Sequence, residues 1–208
     1  MYLIKATNSS VKHPPPTQSN QKEDPIKHLN KPHQGLELDE SDTNPSANSA
    51  GFFPLLATIT DFPFPTIALI TGHTFGGACP LALSHDYRIM NSSRGYLSMP
   101  PINLGLHFPG IGTLLRLKLA PQVARKMLLQ AHRWTGPEAL EDGIVDFVAK
   151  PEEMFEVAMG VARQWAPKAK MGVYALLRNE LYGEAGKGFR EISYVYGRRT
   201  DLPAKAKI

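Results

Sequence analysis

The chain has almost no thiol chemistry available to it. Its 208 residues include one cysteine, Cys79, which excludes an internal disulfide bond and a zinc site built from thiolates. This usage does not suggest an oxidising, secreted setting, so we expect an intracellular protein.

Uninterrupted apolar segments are also missing. The two longest, at 62–72 and 76–83, are broken by Pro63, Pro65 and Pro80, whereas a membrane-spanning helix needs about 18 or more consecutive apolar residues. The sequence therefore predicts no membrane span.

Basic residues are not clustered. The 23 Lys and Arg exceed the 19 Asp and Glu, which gives a net charge of +4. Apart from the pair at 198–199 and the tail at 205–207, they are scattered, and no aromatic residues interleave them. A nucleic-acid surface needs such a cluster, so we expect no nucleic acid partner. A modest positive charge suits anionic small molecules instead.

Residues 1–50 differ in composition from the rest. They contain six of the 18 prolines, a single aromatic residue (Tyr2) and no arginine. Such a segment buries too little apolar surface to offset the entropy of ordering, so we predict a largely disordered, proline-rich region. It has no apolar run of seven residues and is not a secretory signal. A short alternating piece at 34–39 follows a turn glycine and is compatible with a strand end.

From Gly51 onward, β-rich runs alternate with helix-forming stretches, which predicts one α/β unit. We expect an α/β core over 51–150 and a helical region over 151–208. Thr135 and Glu138 have the spacing of a capping box, so a helix should begin there. The remaining pattern predicts strands at 66–71, 87–90 and 144–148, a strand and loop at 96–106, a loop opening into a helix at 76–84, and helices at 52–60, 114–119, 121–131, 151–165 and 167–182.

Several segments of this region carry a family resemblance. They are the block PTIALITGHTFGGACPLALSHDYRIM (65–90), the tetrapeptide NLGL (103–106) with the small residues that follow to Gly112, and RWTGPEALEDGIVD (133–146). In this order and spacing they resemble the enoyl-CoA hydratase/isomerase, or crotonase, superfamily, and especially the monofunctional peroxisomal enoyl-CoA isomerases of fungi and plants. Linked motifs are far more specific than one glycine loop.

The resemblance implies a crotonase-like spiral of ββα turns with a helical C-terminal region that forms trimers or hexamers, alone or with paralogues. It implies acyl-CoA thioesters as substrates, so the coenzyme A arrives with the substrate and no separate cofactor is expected. It also implies an oxyanion hole, in which two backbone N–H groups bind the thioester oxygen and stabilise an enolate.

By motif match, the two oxyanion donors are the N–H groups of Gly77 and Leu36. Gly76 and Gly35 precede them and allow the backbone to approach the ligand closely. Taken without its surroundings, a Gly-Gly pair before a helix is more often a tight turn.

The proton-transferring group of the family is missing. Chemistry next to a thioester needs such a group, and the glutamate positions that the resemblance identifies are Pro80, Pro101 and Pro109. Proline has neither an ionisable group nor an N–H. Two functions therefore stay open: an enoyl-CoA isomerase or hydratase-like enzyme, or a catalytically impaired acyl-CoA-binding or oligomer subunit.

Three other residues are candidates for proton transfer, namely Glu37, Asp39 and His107. Each is next to a segment that the resemblance assigns to the acyl-CoA pocket. The alternative is that they are solvated surface groups.

Other reactive residue types have simpler interpretations. Cys79 is expected to be a small buried hydrophobe, since no base is adjacent to it in the sequence. His73 and His85 lack metal-ligand spacing and suit hydrogen-bonded loop or core positions. Asp86 suits a turn or cap better than an acid catalyst.

The two ends of the chain carry further expectations. Family members have a strand, a helix and a strand before the 35–36 region, which 34 polar, proline-rich residues cannot supply. We therefore predict a truncated N-terminal layer and an exposed sheet edge that promotes association. Ala206, Lys207 and Ile208 fit a C-terminal peroxisomal signal, so we expect binding to an import receptor and a peroxisomal location, with the cytoplasm as the alternative.

Overall fold

Two parallel sheets organise the described part of the chain. The computed structural model describes the backbone of residues 3–6 and 51–199 and the side chains of 51–192. In the larger sheet the strands lie in the order β1 (Leu3–Ala6), β2 (Ile67–Ile70), β4 (Tyr87–Asn91) and β6 (Phe147–Ala149). The smaller sheet pairs β3 (Thr74–Phe75) with β5 (Leu97–Ser98).

Helices connect and cover these strands. In the described part of the chain they are α1 (Phe53–Thr60), α2 (Ala78–Leu83), α3 (Pro101–Leu104), α4 (Ile111–Lys118), α5 (Pro121–Leu129), α6 (Gly136–Glu141), α7 (Met154–Trp165) and α8 (Val173–Arg199), with a 3-10 helix at Ala166–Ala169.

Strand β2 is buried on both faces and divides the apolar interior. Ile67 and Leu69 point to one side, where they pack with Ile89 and with α7. Ala68 and Ile70 belong to the larger core, together with α1, α2, α4 and α8. An uninterrupted apolar strand of this kind is typical of a parallel sheet that is covered on both faces.

Most predicted elements are present, with bounds shifted by a few residues. The predicted capping box is there: the Thr135 N–H and hydroxyl both donate to Glu138, at 2.7 and 2.8 Å, at the start of α6. The helix predicted at 167–182 is α8. A 3-10 turn at Ala166–Ala169 precedes it, and the helix runs from Val173 to Arg199.

Two predictions about local structure need correction, and one element was not predicted. The strand expected at 144–148 lies at 147–149, because the Ile144 and Val145 N–H groups instead bind the Ala139 carbonyl, at 2.8 and 3.1 Å, and close the end of α6. Part of the loop at 96–106 is the one-turn helix α3, which begins at Pro101 with its favourable fixed φ. The two-residue strand β3 was not predicted.

The N-terminal prediction is wrong at four residues. Leu3–Ala6 form β1, parallel to β2, with Leu3 opposite Ile67 and Ala6 opposite Ile70. Their backbone groups pair with the edge of β2 that β4 leaves open. Strand β2 therefore has a neighbour on both sides and does not form the exposed sheet edge that was predicted. The other residues of 1–50 lie outside the described part of the chain.

A buried arginine attaches α8 to the sheet layer. Arg178 is 4% exposed, and its Nε donates to the Asp86 carboxylate at 2.6 Å. Its other four N–H groups donate to the carbonyl oxygens of Ile59 (2.8 Å), Phe62 (2.8 Å) and Ser84 (3.2 Å) and to the hydroxyl of Thr66 (3.2 Å). All five guanidinium donors are therefore used.

Replacing Arg178 should destabilise the fold strongly. In Arg178→Met, Asp86 stays buried without its counter-charge, and removing one partner of a buried pair costs about 3–5 kcal/mol of unfolding free energy. Equilibrium urea denaturation measures the loss. The matched control is Arg116→Met, which breaks the exposed pair with Glu184 and should cost at most about 1 kcal/mol. Equal losses in the two variants would contradict the role assigned to Arg178.

Next to this arginine, Lys118 is held in an environment that disfavours its charge. Its Nζ donates to the His85 carbonyl at 3.1 Å and lies 3.5 Å from the centre of the Tyr182 ring. Burial, and then the positive charge of Arg88, lower the pKa of Lys118 from 10.5 to about 7. Arg178 acts in the same direction, whereas Asp86 and Asp146 oppose it.

This shift predicts a pH dependence of stability. Between about pH 7 and 10.5 the unfolded chain binds a proton at Lys118 that the folded chain has released, so Lys118 makes the free energy of unfolding rise with pH over that window. Above about pH 9 the buried Cys79 thiol, whose pKa is raised from 9.0 to about 12, acts in the opposite direction, so the slope is measured between pH 7 and 9. Urea denaturation at a series of pH values should show this slope, and Lys118→Met should reduce it because the titrating group is gone. Lys187→Met, which alters an exposed lysine, serves as the control and should keep the wild-type slope. An unchanged slope in Lys118→Met would refute the assignment.

Candidate functional site

The candidate site begins at the turn between β3 and α2. Gly76 has a φ of +55°, in the left-handed region that favours glycine. Its N–H donates to the Ser98 carbonyl at 3.1 Å, which continues the pairing of β3 with β5 by one residue. The chain then reverses, and Gly77 is the N-cap of α2.

The Gly77 N–H lies at this turn and has no acceptor within residues 51–199. Its carbonyl accepts the Leu81 N–H at 3.2 Å, but its N–H donates no hydrogen bond to any residue within 51–199. Gly77 is half-buried. A partly buried amide without a protein partner is available to an external oxygen.

A cavity of about 480 Å³ opens after β5. Its wall is largely apolar and is formed by Met99, Pro101, Ile102, Leu106, His107, Phe108, Gly110, Ile111, Gly112, Thr113, Leu128 and Leu129. Gly76 and Gly77 do not line it. Ser98 connects the two features, because its carbonyl binds Gly76 and the next residue, Met99, is part of the wall. As β3 and β5 are parallel, both features follow strands that end on the same edge.

The three proline positions have different surroundings. Pro80 is buried within α2, where its carbonyl accepts the Ser84 N–H at 2.9 Å. Pro101 is buried at the start of α3 and lines the cavity. Pro109 is half-buried in the loop before α4 and is not part of the cavity wall. Only Pro101 is therefore placed to face a molecule in this cavity.

Cys79 has the environment expected of a structural residue. Its thiol is fully buried and contacts the carbonyl oxygens of Thr74 and Ser98 at 3.1 and 3.0 Å. Burial raises the pKa of this thiol to about 12. A thiol that stays protonated is not a nucleophile at neutral pH.

The two polar residues at the end of α2 are also structural. His85 is buried, its Nδ1 lies 2.9 Å from the Leu81 carbonyl, and burial lowers its pKa to about 4. Asp86 accepts the Thr66 N–H at 2.8 Å and pairs with Arg178. Asp86 thus joins the starts of two strands to α8, a larger structural role than the predicted turn or cap.

Two further histidines belong to the site region, the half-buried His73 and the exposed His107. The His73 ring stacks between Phe75 and Tyr96, at centroid distances of 5.3 and 5.7 Å, and its Nδ1 accepts the Tyr96 N–H at 3.3 Å. His107 is exposed and lines the cavity. Of the three predicted proton-transfer candidates, it is the one that the structure places.

Several predicted site residues lie outside the described residues. They are Gly35, Leu36, Glu37 and Asp39 before the core, and Ala206, Lys207 and Ile208 at the C-terminus. The second oxyanion donor and the import signal therefore stay predictions.

The described residues contain neither a metal-binding cluster nor a membrane-spanning helix. No group of three or more His, Cys, Asp or Glu side chains in them is placed to hold a metal ion. None of their helices is both long enough and apolar enough to cross a membrane.

The sequence indicated Pro101 and His107 as pocket positions but not the rest of the cavity wall. Its wall comes from three separate stretches, at 99–102, 106–113 and 128–129. The available signal was the pair of large apolar residues, Leu106 and Phe108, between Gly105 and Gly110, the glycines that end α3 and precede α4. Large apolar side chains in a glycine-bounded loop are typical of a binding surface.

The architecture is the crotonase fold. A solved enoyl-CoA hydratase/isomerase family protein from Pseudomonas syringae superimposes with a TM-score of 0.70 over 81% of this chain and 74% of its own, at 22% identity. An enoyl-CoA hydratase from Mycobacterium ulcerans superimposes with a TM-score of 0.71 over 80% and 74%, at 21% identity.

Sequence comparison gives the family. Residues 35–184 match the enoyl-CoA hydratase/isomerase family, and the chain belongs to it. Peroxisomal enoyl-CoA delta isomerase 2 of Arabidopsis thaliana is 37% identical over 142 residues, which are 64% of this chain and 58% of that protein. Carnitinyl-CoA dehydratase of Salmonella arizonae is 35% identical over 128 residues, or 61% and 48%. The chain thus spans less than two thirds of the length of these relatives.

Proposed function

We propose that this chain binds acyl-CoA thioesters and acts as an enoyl-CoA isomerase or hydratase-like enzyme. The observation that carries the proposal is the Gly77 N–H, which has no acceptor in residues 51–199. It follows β3, the apolar cavity follows β5, and these two parallel strands end on the same edge of their sheet. The thioester oxygen would accept this N–H, while the acyl chain would occupy the apolar cavity. Charge that develops on that oxygen when the α-carbon loses a proton would then meet a preorganised donor.

The second oxyanion donor is proposed to be the Leu36 N–H, preceded by Gly35. The coenzyme A portion belongs to the substrate, so we propose no separate cofactor. The net charge of +4 favours binding of its phosphate groups.

A second function is favoured by the three prolines. Without a glutamate at position 80, 101 or 109, the chain would be an acyl-CoA-binding or oligomer subunit that does not turn its ligand over. The two functions differ in one measurement: both predict binding of an acyl-CoA, and only the first predicts conversion of a 3-enoyl-CoA to the 2-enoyl isomer.

The Gly76 turn provides the test of binding. Alanine at a φ of +55° is strained, so Gly76→Ala should displace the neighbouring Gly77 N–H from the thioester. Losing one hydrogen bond of about 1.4 kcal/mol weakens binding about tenfold. Isothermal titration with octanoyl-CoA measures the change.

The control for this variant is Gly160→Ala, on an exposed turn of α7 where an added methyl group meets nothing within 4 Å. It should leave the Kd unchanged and slightly stabilise the helix. The proposal fails if the wild-type chain binds no acyl-CoA, or if Gly76→Ala binds it as tightly as Gly160→Ala does.

We also propose that the chain self-associates, as a homo- or hetero-oligomer, through the exposed face of α8. Three leucines on this helix, Leu176, Leu177 and Leu181, are 68%, 61% and 61% exposed. Val173, 48% exposed, lies on the same face of the helix, three and four residues before Leu176 and Leu177. Large apolar side chains grouped on a surface mark an interaction site.

Charge on this face should dissociate the assembly. The double variant Leu177→Glu, Leu181→Glu places two carboxylates where the interface would be dry, and sedimentation velocity should then show monomers. Phe155→Glu makes the same change at an exposed apolar residue of α7 and should leave the assembly intact. A monomeric wild-type chain would refute this proposal.

The proposed location is the peroxisome, and the proposed setting is fatty-acid or secondary-metabolite metabolism. The support is the tripeptide Ala206-Lys207-Ile208, whose small, basic and aliphatic residues fit the peroxisomal signal. The import receptor would be the partner of this tripeptide.

A further inference from the structure

His107 has a distinctive position in the wall of the cavity. Of the twelve described residues that line it, His107 is the one that can gain or lose a proton. Ten of the others carry apolar side chains or none, and the remaining polar one is the hydroxyl of Thr113. A molecule in this cavity therefore meets a single acid–base group.

The backbone brings Leu106, the residue before His107, back to Pro101. The Leu106 N–H donates to the Pro101 carbonyl at 3.0 Å, which folds the loop after α3 back onto the start of that helix. The left-handed Gly105, with a φ of +65°, makes this reversal possible. His107, which follows Leu106, is therefore held on the same side of the cavity as Pro101. Pro101 stands at a position where the resemblance places a glutamate.

His107 also has the exposure that proton transfer requires. It lines the cavity and is exposed to solvent, so a proton taken from a bound molecule can pass to water. Imidazole exchanges protons readily near neutral pH, and in its neutral form one ring nitrogen is a free acceptor.

From these observations we infer that His107 is the proton-transfer residue of this site; the inference rests on the proposed function. The neutral imidazole removes one proton from the α-carbon of a 3-enoyl-CoA, and the electron pair of that C–H bond becomes part of a dienolate whose charge lies on the thioester oxygen. The imidazolium then returns one proton to the γ-carbon, which gives the 2-enoyl thioester. The imidazole is regenerated, and no oxidant or further reactant is needed.

The experiment separates proton removal from binding. Octanoyl-CoA has exchangeable α-protons but no double bond to move, so incubation with the full chain in D₂O reports proton removal as loss of the α-proton NMR signal. Titration calorimetry with the same compound reports binding, and conversion of a 3-enoyl-CoA reports turnover. The variants are His107→Gln, which keeps a hydrogen-bonding side chain without a usable base, and His107→Glu, which supplies a carboxylate. His132→Gln is the control, because His132 is an exposed histidine that packs on Trp134 and does not line the cavity.

We expect His107→Gln to slow exchange and turnover by about 100-fold or more, the usual contribution of a positioned acid–base group, with the Kd unchanged. His107→Glu should restore part of the rate and move the acid limb of the pH–rate profile to lower pH, since a carboxylate is protonated at lower pH than an imidazole. His132→Gln should behave like the wild type.

The outcomes distinguish failure of acyl-CoA binding from failure of the role of His107. If the wild type binds no octanoyl-CoA, the proposed function and this inference both fail. If it binds and exchanges, but His107→Gln exchanges at the same rate, the role of His107 alone is refuted. Binding without any exchange or turnover by the wild type would also refute His107 and would favour the non-catalytic subunit.

Discussion

The contact between Arg178 and Asp86 holds the described part of this protein together. Taking a guanidinium and a carboxylate out of water is costly, and the structure offsets that cost by giving every guanidinium N–H an acceptor. Those acceptors lie on the end of α1, the turn after it, the residue before β2 and the end of α2. One side chain of α8 thereby positions four segments of the core, and Asp86 connects the starts of β2 and β4 directly.

The candidate site lies downstream of this arrangement. Strand β2 leads into β3, which ends at the Gly76 turn, while β4 leads through a short turn into β5 and the cavity. The pairing of β3 with β5 is only two residues long, so the position of the Gly77 N–H relative to the cavity depends on how firmly β2 and β4 are held. The contacts of Arg178 therefore affect both the stability of the fold and the geometry of the site, because β2 and β4 lead directly into the strands that position the site.

The main group of paired charges in the described residues is not part of the cavity wall. Asp86, Arg178, Arg88, Asp146 and Lys118 form a group between the sheet and the C-terminal helix, whereas the cavity wall holds a single ionisable side chain among its described residues. An apolar wall suits an acyl chain, and it leaves any charge that forms on a bound thioester to be stabilised by backbone N–H groups.

Much of the local structure followed from residue types and their spacing. Proline and glycine positions, the Thr135–Glu138 capping box and the apolar runs of β2 and β4 place most elements within a few residues, because caps, turns and strand propensities act over a few neighbouring positions. The motifs also indicated the family and the Gly76–Gly77 turn. The positions that only the folded chain settled are those set by distant partners. Asp86 and Arg178 are separated by 92 residues, Leu3–Ala6 pair with the edge of β2 that β4 leaves open, and the cavity that His107 lines is completed by Leu128 and Leu129 of α5. No local pattern encodes such contacts, since each depends on which surfaces meet after the chain has collapsed.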